Sequence, residues 1–366
     1  MSSIRVYLSA CCHQGFHIQQ YDVDTALLNG HGHLEEEVYI YPPRGVQAQA
    51  NEVCLLKRSL YGLKQAAATW FKTISQVFLE MGFRHCRTDS CIFVRQRGNS
   101  VVYIALYVDG MLIGAKTLEE MKAISDKLSR KFKLKDLGKV KFMLGIQVDY
   151  DREQRSMEIC QTSSINKMVE KFNQVDAKLV WNPNVQGQLL STIEKEDERM
   201  KFRPFRSLVG SLLYISNGTR PDIAFSVCQL SRHLERPSEE HWKAAVRVLR
   251  YLKSTSDIGI NYTGSVKDLC VCAYSDADWA NNKESRRSVS GIMVMINGAP
   301  VIFKSMIQQS VALSTAEAEY IALSLCMQEV LWLKSLLCEL KAKIPQQIEV
   351  FEDNQSAIAI AKTDGY

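Results

Sequence analysis

Aspartates close several apolar, strand-like runs in this sequence: Asp22 in YDVDTALLNG, Asp109 in ALYVDGMLIG, Asp276 in AYSDADWA and Asp353 in EVFEDNQSA. Carboxylates that converge from neighbouring strands suit phosphoryl transfer with two Mg²⁺ ions about 3.5–4 Å apart, one at the attacking oxygen and one at the leaving oxygen. Aspartate is a short, hard ligand that meets the octahedral shell of that ion. Asp22 and Asp109 come together if their strands pair, whereas Asp24 lies about 7 Å further along its strand and is not expected to substitute. The competing reading of Asp109-Gly110 is structural. Asp-Gly between apolar arms, here Val101 to Val108 and Met111 to Ile113, is the strongest short-range hairpin signal.

The second chemical signal is basic. The stretch KLSRKFKLKDLGKVK, Lys127 to Lys141, holds seven bases and one acid. Such a stripe is either a solvated face or a surface that attracts a phosphate backbone by releasing condensed counterions. From Asp268 onward acids outnumber bases, so the net charge of +5 is carried by the part before it. The eleven cysteines lack a second Cys/His pair at zinc-ligand spacing and read as small buried hydrophobes in a reducing compartment. His13 and His17 are four apart with no HExxH and no third ligand, which favours a structural role. The opening MSSIRVYLSACCHQG has neither the basic region nor the apolar core of a signal peptide, so export is not expected. No apolar run reaches the roughly 18 residues that a membrane crossing needs.

The elements that must position these residues follow from periodicity. FHIQQYDVD and EEEVYIY read as strands, and ATWFKTISQVFLEMG as an amphipathic helix ended by Gly82. Thr117 and Glu120 form a capping box ahead of a further helix. VKFMLGIQVDYD and SMEICQ read as a hairpin, with SSINKMVEKF a helix after it. Asp176 to Met200 is polar and aperiodic, a linker; three helices follow, with Pro221 near the start of the second and Ser238 capping the third. From Leu269 three strands alternate apolar and polar residues, the last two joined at Asn297-Gly298; a long helix from about Thr315 to Leu340 and the strand IEVFED come next.

The ordered series YDVDTALLNG, VCLLKRSLYGLKQA, YVDGMLIG, KDLGKVKFMLGIQV, SLVGSLLYISNGTRPDIAFSV, HWKAAVRVLRYLKST, YSDADWA, LSTAEAEYIAL and EDNQSAIAIAK closely resembles copia-type retrotransposon Pol polyproteins over nearly the whole chain. The resemblance implies an α+β protein in three parts. Residues 1–175 would be a reverse transcriptase palm with partial fingers and thumb, 176–265 a linker and helical connection, and 266–366 an α/β ribonuclease H-like domain. Both ends would be short: the basic fingers segment would lie ahead of the first residue, and a fourth acid in a His-Ile-Asp stretch beyond Tyr366. Protease and integrase segments are absent, and these losses read as a fragmentary or decayed gene.

Carried over by motif, Asp22 and Asp109 would be metal-binding aspartates of the polymerase, and Gly110 stands where Tyr-x-Asp-Asp has its second aspartate. Tyr107 would lie beside the primer terminus and incoming nucleotide. Lys64 and Gln65 of SLYGLKQ would face nucleotide and template, although Ala67 and Ala68 replace the usual Pro-Arg. Asp276, Glu319 and Asp353 would hold the metal of the ribonuclease H. Glu319 is chosen over Glu317 because Ser314-x-x-Glu317 fits a capping box, which turns Glu317 back to the helix start. Lys131, Lys133, Lys135, Lys139 and Lys141 would contact nucleic-acid backbone. The implied cofactor is Mg²⁺ or Mn²⁺ in two-metal sites, and the implied partners are RNA template, DNA primer, RNA–DNA hybrid and dNTPs, with no membrane. The implied setting is the cytoplasm, within virus-like particles, and the nucleus. The expected activity is RNA-directed DNA synthesis with ribonuclease H, impaired or lost in this chain by Gly110 and the shortened ends; the alternative is a non-catalytic, nucleic-acid-binding relic.

Overall fold

No periodic signal marks the start of the chain, yet it forms a helix, α1 (Ser2–Gln14), in which every residue from Arg5 to Cys12 is buried. The Arg5 guanidinium donates to the carbonyls of Val301 (2.8 Å), Asn217 (2.5 Å) and Gly218 (2.9 Å) and lies 4.0 Å from the centre of the Phe303 ring. An anchor of this kind depends on distant chain and is invisible to helix periodicity. The computed structural model describes residues 1–30, 36–47, 49, 51–185, 187, 190–264, 268–280 and 285–363. The chain divides into two compact units, one of Gln14–Val140 with Glu339–Lys341, the other of Met1–His13, Lys141–Cys338 and Ala342–Tyr366. It is a mixed α/β protein.

In the Gln14–Val140 unit, β1 (His17–Val23), β2 (Tyr39–Ile40), β3 (Cys54–Leu55), α2 (Ala66–Glu80), β4 (Arg84–His85), β5 (Ile92–Arg97), β6 (Ser100–Tyr107), β7 (Gly110–Ala115), α3 (Leu118–Ser129) and β8 (Leu134–Lys139) follow in order. Six strands make one antiparallel sheet in the order β4-β5-β6-β7-β1-β8. The helices bury Trp70, Ile74, Phe78, Met121, Ile124 and Leu128 in one core with alternate residues of β1, β6 and β7. Full burial of each large side chain is worth about 1.5–3 kcal/mol, so this face fixes the strand register. Of EEEVYIY only Tyr39–Ile40 is strand, and its first glutamate, at position 35, lies outside the described residues.

The expected Asp109-Gly110 turn is corrected by the register. Tyr107 pairs with Gly110, so Val108 and Asp109 make the turn and Gly110 is the first residue of β7. Val108 adopts φ +55°, a costly conformation for a β-branched residue. Trp70 Nε1–H donates to the Val108 carbonyl at 2.5 Å, and the Val23 N–H to the Asp109 carbonyl at 3.0 Å, so α2 and β1 both hold the strained turn in place.

The larger unit continues with β9 (Phe142–Met143), β10 (Ile146–Asp151), β11 (Ser156–Cys160), α4 (Thr162–Lys171), α5 (Phe205–Gly218), α6 (Ala224–Ser231), α7 (Glu239–Ser254) and β12 (Ile260–Thr263). The four helices share one core around Leu208, Leu212, Ile223, Val227, Leu249 and Leu252. Ser238 caps α7 as expected, but its reciprocal partner is His241 Nδ1 rather than a carboxylate. The expected boundary at 266 lies outside the described residues. The remaining elements are β13 (Val271–Asp278), β14 (Val289–Ile296), β15 (Ala299–Ile307), α8 (Thr315–Glu339), β16 (Glu349–Phe351) and α9 (Gln355–Lys362). They form a sheet in the order β15-β14-β13-β16, an antiparallel meander with β16 parallel to β13 after the α8 crossover. The β14–β15 turn falls at Asn297-Gly298, both at positive φ, as the sequence predicts.

Two further expectations change. Helix α8 is long and apolar enough to cross a membrane by length and composition, with a window of mean hydropathy 1.5. Its buried residues Ala318, Ala322, Cys326, Val330, Leu333 and Leu337 recur every three or four positions, the spacing of a helix with one face in a core. All eleven cysteines are free, but Cys91, Cys270 and Cys338 are exposed rather than buried.

Candidate functional site

Two acidic centres emerge, one in each unit. In the first, β1 lies between β7 and β8, and the register sets Asp22 opposite Gly110 on one side and Lys135 on the other. Asp22 and Asp109 are brought together. Burial raises the proton affinity of the half-buried Asp22, and the Asp109 and Asp24 charges raise it further, while Lys135 opposes them. Asp24 is engaged elsewhere, in an ion pair with Lys133 at 2.6 Å that holds its carboxyl below the usual range. The position opposite Asp22 is open to a side chain. A Cβ at Gly110 would meet only the Tyr107 carbonyl oxygen, at an ordinary 3.7 Å.

The surrounding residues divide. Tyr107, 53% exposed, ends β6 next to the turn. Gln65 occupies the N-cap position of α2 and Lys64 is exposed just ahead of it. The basic stripe spans the end of α3 and the edge strand β8, with all five lysines exposed. Lys131 pairs with Glu80 at 2.5 Å and Lys133 with Asp24, so those two charges are already balanced. Lysines on an edge strand also discourage pairing with other chains. Lys135 is the residue whose placement the sequence does not disclose: it reads there as one base in a stripe, and the β1–β8 register alone sets it across from Asp22.

In the second centre, one oxygen from each of Asp276, Glu319 and Asp353 lies within 4.8 Å of the others. They come from β13, the first turns of α8 and the segment after β16. Local hydrogen bonding accounts for the choice between the two glutamates of α8. Glu317 turns back, its carboxylate accepting from the Leu313 N–H at 2.7 Å while its own N–H donates to Ser314 Oγ at 3.2 Å. This is the expected capping box displaced by one residue, and it leaves Glu319 to point inward. Glu319 is 8% exposed, and its Oε2 has no hydrogen-bond partner among the described residues. Burial, then the charges of Glu352, Asp276 and Asp353, push its carboxyl up to about 7, against a hydrogen bond from the Ala277 N–H. A bare cluster of this kind is electrostatically unfavourable, and a divalent cation with oxygen preference resolves both the repulsion and the orphaned oxygen. The residues present therefore fit such an ion. Beside Asp276 an open groove of about 680 Å³ is lined by Phe225, Tyr274, Met293, Phe303 and Lys304. Glu352, which sequence reasoning passed over as the neighbour of Asp353, is the charge that raises the proton affinity of Glu319 most.

Residues 1–186 match the family model described as reverse transcriptase (RNA-dependent DNA polymerase). The chain belongs to the reverse transcriptase family, among the retrovirus-related Pol polyproteins of copia-type transposons. It is 37% identical to the Retrovirus-related Pol polyprotein from transposon TNT 1-94 of Nicotiana tabacum, over 100% of this chain and 28% of that protein. It is 34% identical to the Retrovirus-related Pol polyprotein from transposon RE1 of Arabidopsis thaliana, over 97% of this chain and 24% of that protein. The chain thus spans about a quarter of the length of these relatives. Among solved structures, that of the foamy viral protease-reverse transcriptase in complex with RNA/DNA hybrid aligns with 91% of this chain and 38% of that chain, at 11% identity and a TM-score of 0.46.

Proposed function

We propose that this chain is the RNA-directed DNA polymerase and ribonuclease H part of a retrotransposon Pol polyprotein, with three acids of the ribonuclease H centre assembled and the polymerase centre one carboxylate short. On this reading residues 1–175 supply palm, partial fingers and thumb, 176–265 the connection and 266–366 the ribonuclease H. The observation that carries it is the approach of Asp276, Glu319 and Asp353, from three separate elements, to within 4.8 Å. RNA template, DNA primer, hybrid and dNTPs are the partners, with Tyr107, Lys64 and Gln65 assigned to primer terminus, nucleotide and template.

Asp276, Glu319 and Asp353 would hold Mg²⁺ or Mn²⁺, which when bound would supply charge neutralisation at the phosphate and a water of lowered pKa. The chain's own part is to hold the carboxylates on rigid elements before substrate arrives, so that little reorganisation is needed at the moment of reaction. Glu319, buried with its carboxyl pushed up to about 7, would bind a cation as the carboxylate, so that binding would be coupled to loss of its proton. In the polymerase centre Asp22 and Asp109 would hold the same kind of ion with one acid fewer. Gly110 leaves charge on the triphosphate uncompensated, which lowers nucleotide incorporation strongly.

The test uses the whole chain with an end-labelled RNA–DNA hybrid in Mg²⁺ or Mn²⁺. RNA-strand cleavage is expected, and Asp276→Asn should abolish it; an intact hybrid in both metals sinks the ribonuclease H assignment. Primer extension on an RNA template should be weak or absent, and near-normal extension refutes the impairment. The lone Asp22–Asp109 pair opposite Gly110 also favours a second reading, a non-catalytic nucleic-acid-binding relic. Salt-dependent hybrid binding with no turnover in either assay would select it.

A further inference from the structure

The acids of the second centre stand on a weak foundation. Strand β16 is three residues long and lies at the sheet edge, and its partners on β13 end at Tyr274 and Phe351. Asp276 and Asp353 both lie two residues beyond this last pair, where no ladder bond fixes their separation. A side-chain bridge occupies the intervening position. The Ser275 hydroxyl, 7% exposed, donates to Glu352 Oε2 at 2.7 Å, and the other oxygen, Oε1, accepts from the Asn354 N–H at 3.1 Å. Asn354 in turn caps α9 through Oδ1, which accepts from the Ala357 N–H at 3.0 Å.

One carboxylate therefore ties the residue before Asp276 to the residues on both sides of Asp353. We infer that Glu352 is a positioning residue of the acid cluster: through Ser275 and Asn354 it extends the β13–β16 pairing by one residue and sets the distance between Asp276 and Asp353. The inference rests on the metal-centre reading given above. Partners that orient ligands commonly change metal affinity by about 10–100-fold when removed. The role needs hydrogen-bond geometry and not charge. Glutamine can serve, its Oε1 accepting from the Asn354 N–H while its Nε2 donates to the Ser275 hydroxyl, whereas alanine can do neither.

The experiment is Mn²⁺ titration of the full chain by calorimetry, with thermal unfolding recorded for each variant. Ser275→Ala and Glu352→Ala should each weaken Mn²⁺ binding by about tenfold or more. The double variant should bind no more weakly than the worse single one, because both changes cut one bridge. Glu352→Gln should recover affinity to within about threefold of the parent. Affinity of Glu352→Ala or Ser275→Ala equal to the parent's overturns the inference, as does Glu352→Gln binding as weakly as Glu352→Ala, which would mean that charge and not the bridge matters. If Glu352→Ala fails to fold, Ser275→Ala and Glu352→Gln still decide. Asp276→Asn separates the two levels: a parent chain that binds no Mn²⁺, or one that loses no Mn²⁺-binding event on Asp276→Asn, refutes the metal centre itself.

Discussion

Replacing Glu319 by glutamine should make the metal-free protein more stable at neutral pH. Its carboxyl is pushed up from an ordinary 4.5 to about 7, so between those values the folded chain keeps a proton that the unfolded chain has released. Stability is therefore greatest below pH about 4.5, falls as pH rises towards 7 and stays low above it. At 1.36 kcal/mol for each tenfold change in proton affinity, the ionised group costs the fold about 3 kcal/mol at pH 8. Glu319→Gln removes that charge while keeping the shape of the side chain. In EDTA at pH 8 the variant should unfold roughly 6–12 °C higher than the parent, given a few degrees per kcal/mol for a unit of this size. At pH 4 the two should melt together. Added Mn²⁺ should raise the parent more than the variant, because the charge that destabilises the empty cluster is the one a cation would use. Melting curves at pH 4, 6 and 8, with EDTA or Mn²⁺, make the measurement. An equal difference at pH 4 and pH 8, or no gain at pH 8, would show that the cluster does not carry the strain assigned to it.

Three other outcomes follow from named contacts. Gly110→Asp should fold, since its Cβ has room at 3.7 Å from the Tyr107 carbonyl, and should cost about 1 kcal/mol without metal by facing Asp22 across the strands. Primer extension should rise by about 100-fold or more, and no increase refutes the idea that the missing carboxylate is limiting. Val108→Gly should stabilise the chain by about 1 kcal/mol in urea titration, because relief of the φ +55° strain exceeds the extra chain entropy of glycine; destabilisation would mean that the turn is unstrained. Arg220 is fully buried and donates to the Asp222 carboxylate at 2.6 Å and to the Thr255 carbonyl at 2.7 Å. Arg220→Met should destabilise the helical region by about 2–3 kcal/mol, by leaving the buried Thr255 carbonyl without its donor and the half-exposed Asp222 without its ion pair, and a loss below 1 kcal/mol would contradict that account.

Much of the candidate site was legible beforehand because its elements carry local signals. The end of α2, the start of α3, the Asn297-Gly298 turn and the strands that carry Asp22 and Asp276 follow from glycine, capping and alternation. The choice of Glu319 over Glu317 was a local matter as well, since a capping glutamate is claimed by backbone within one turn. Helix α1 was not legible, because Arg5 is held by carbonyls more than 200 positions away. The Asp109-Gly110 turn was misplaced by one residue for a related reason. Asp-Gly is the favoured turn dipeptide, but Trp70 and Val23 bind the carbonyls of Val108 and Asp109 and hold the turn there against the preference of valine.

Amino-acid type and order by themselves determined the family and the candidate acids, because each is a property of a short segment. Register and packing decided the rest: that Gly110 faces Asp22, that Lys135 flanks it while Lys133 is bound to Asp24, and that Glu319 is driven towards neutrality. Those facts depend on which strands lie side by side and on how much water a buried carboxylate keeps, and both are fixed only when distant segments meet.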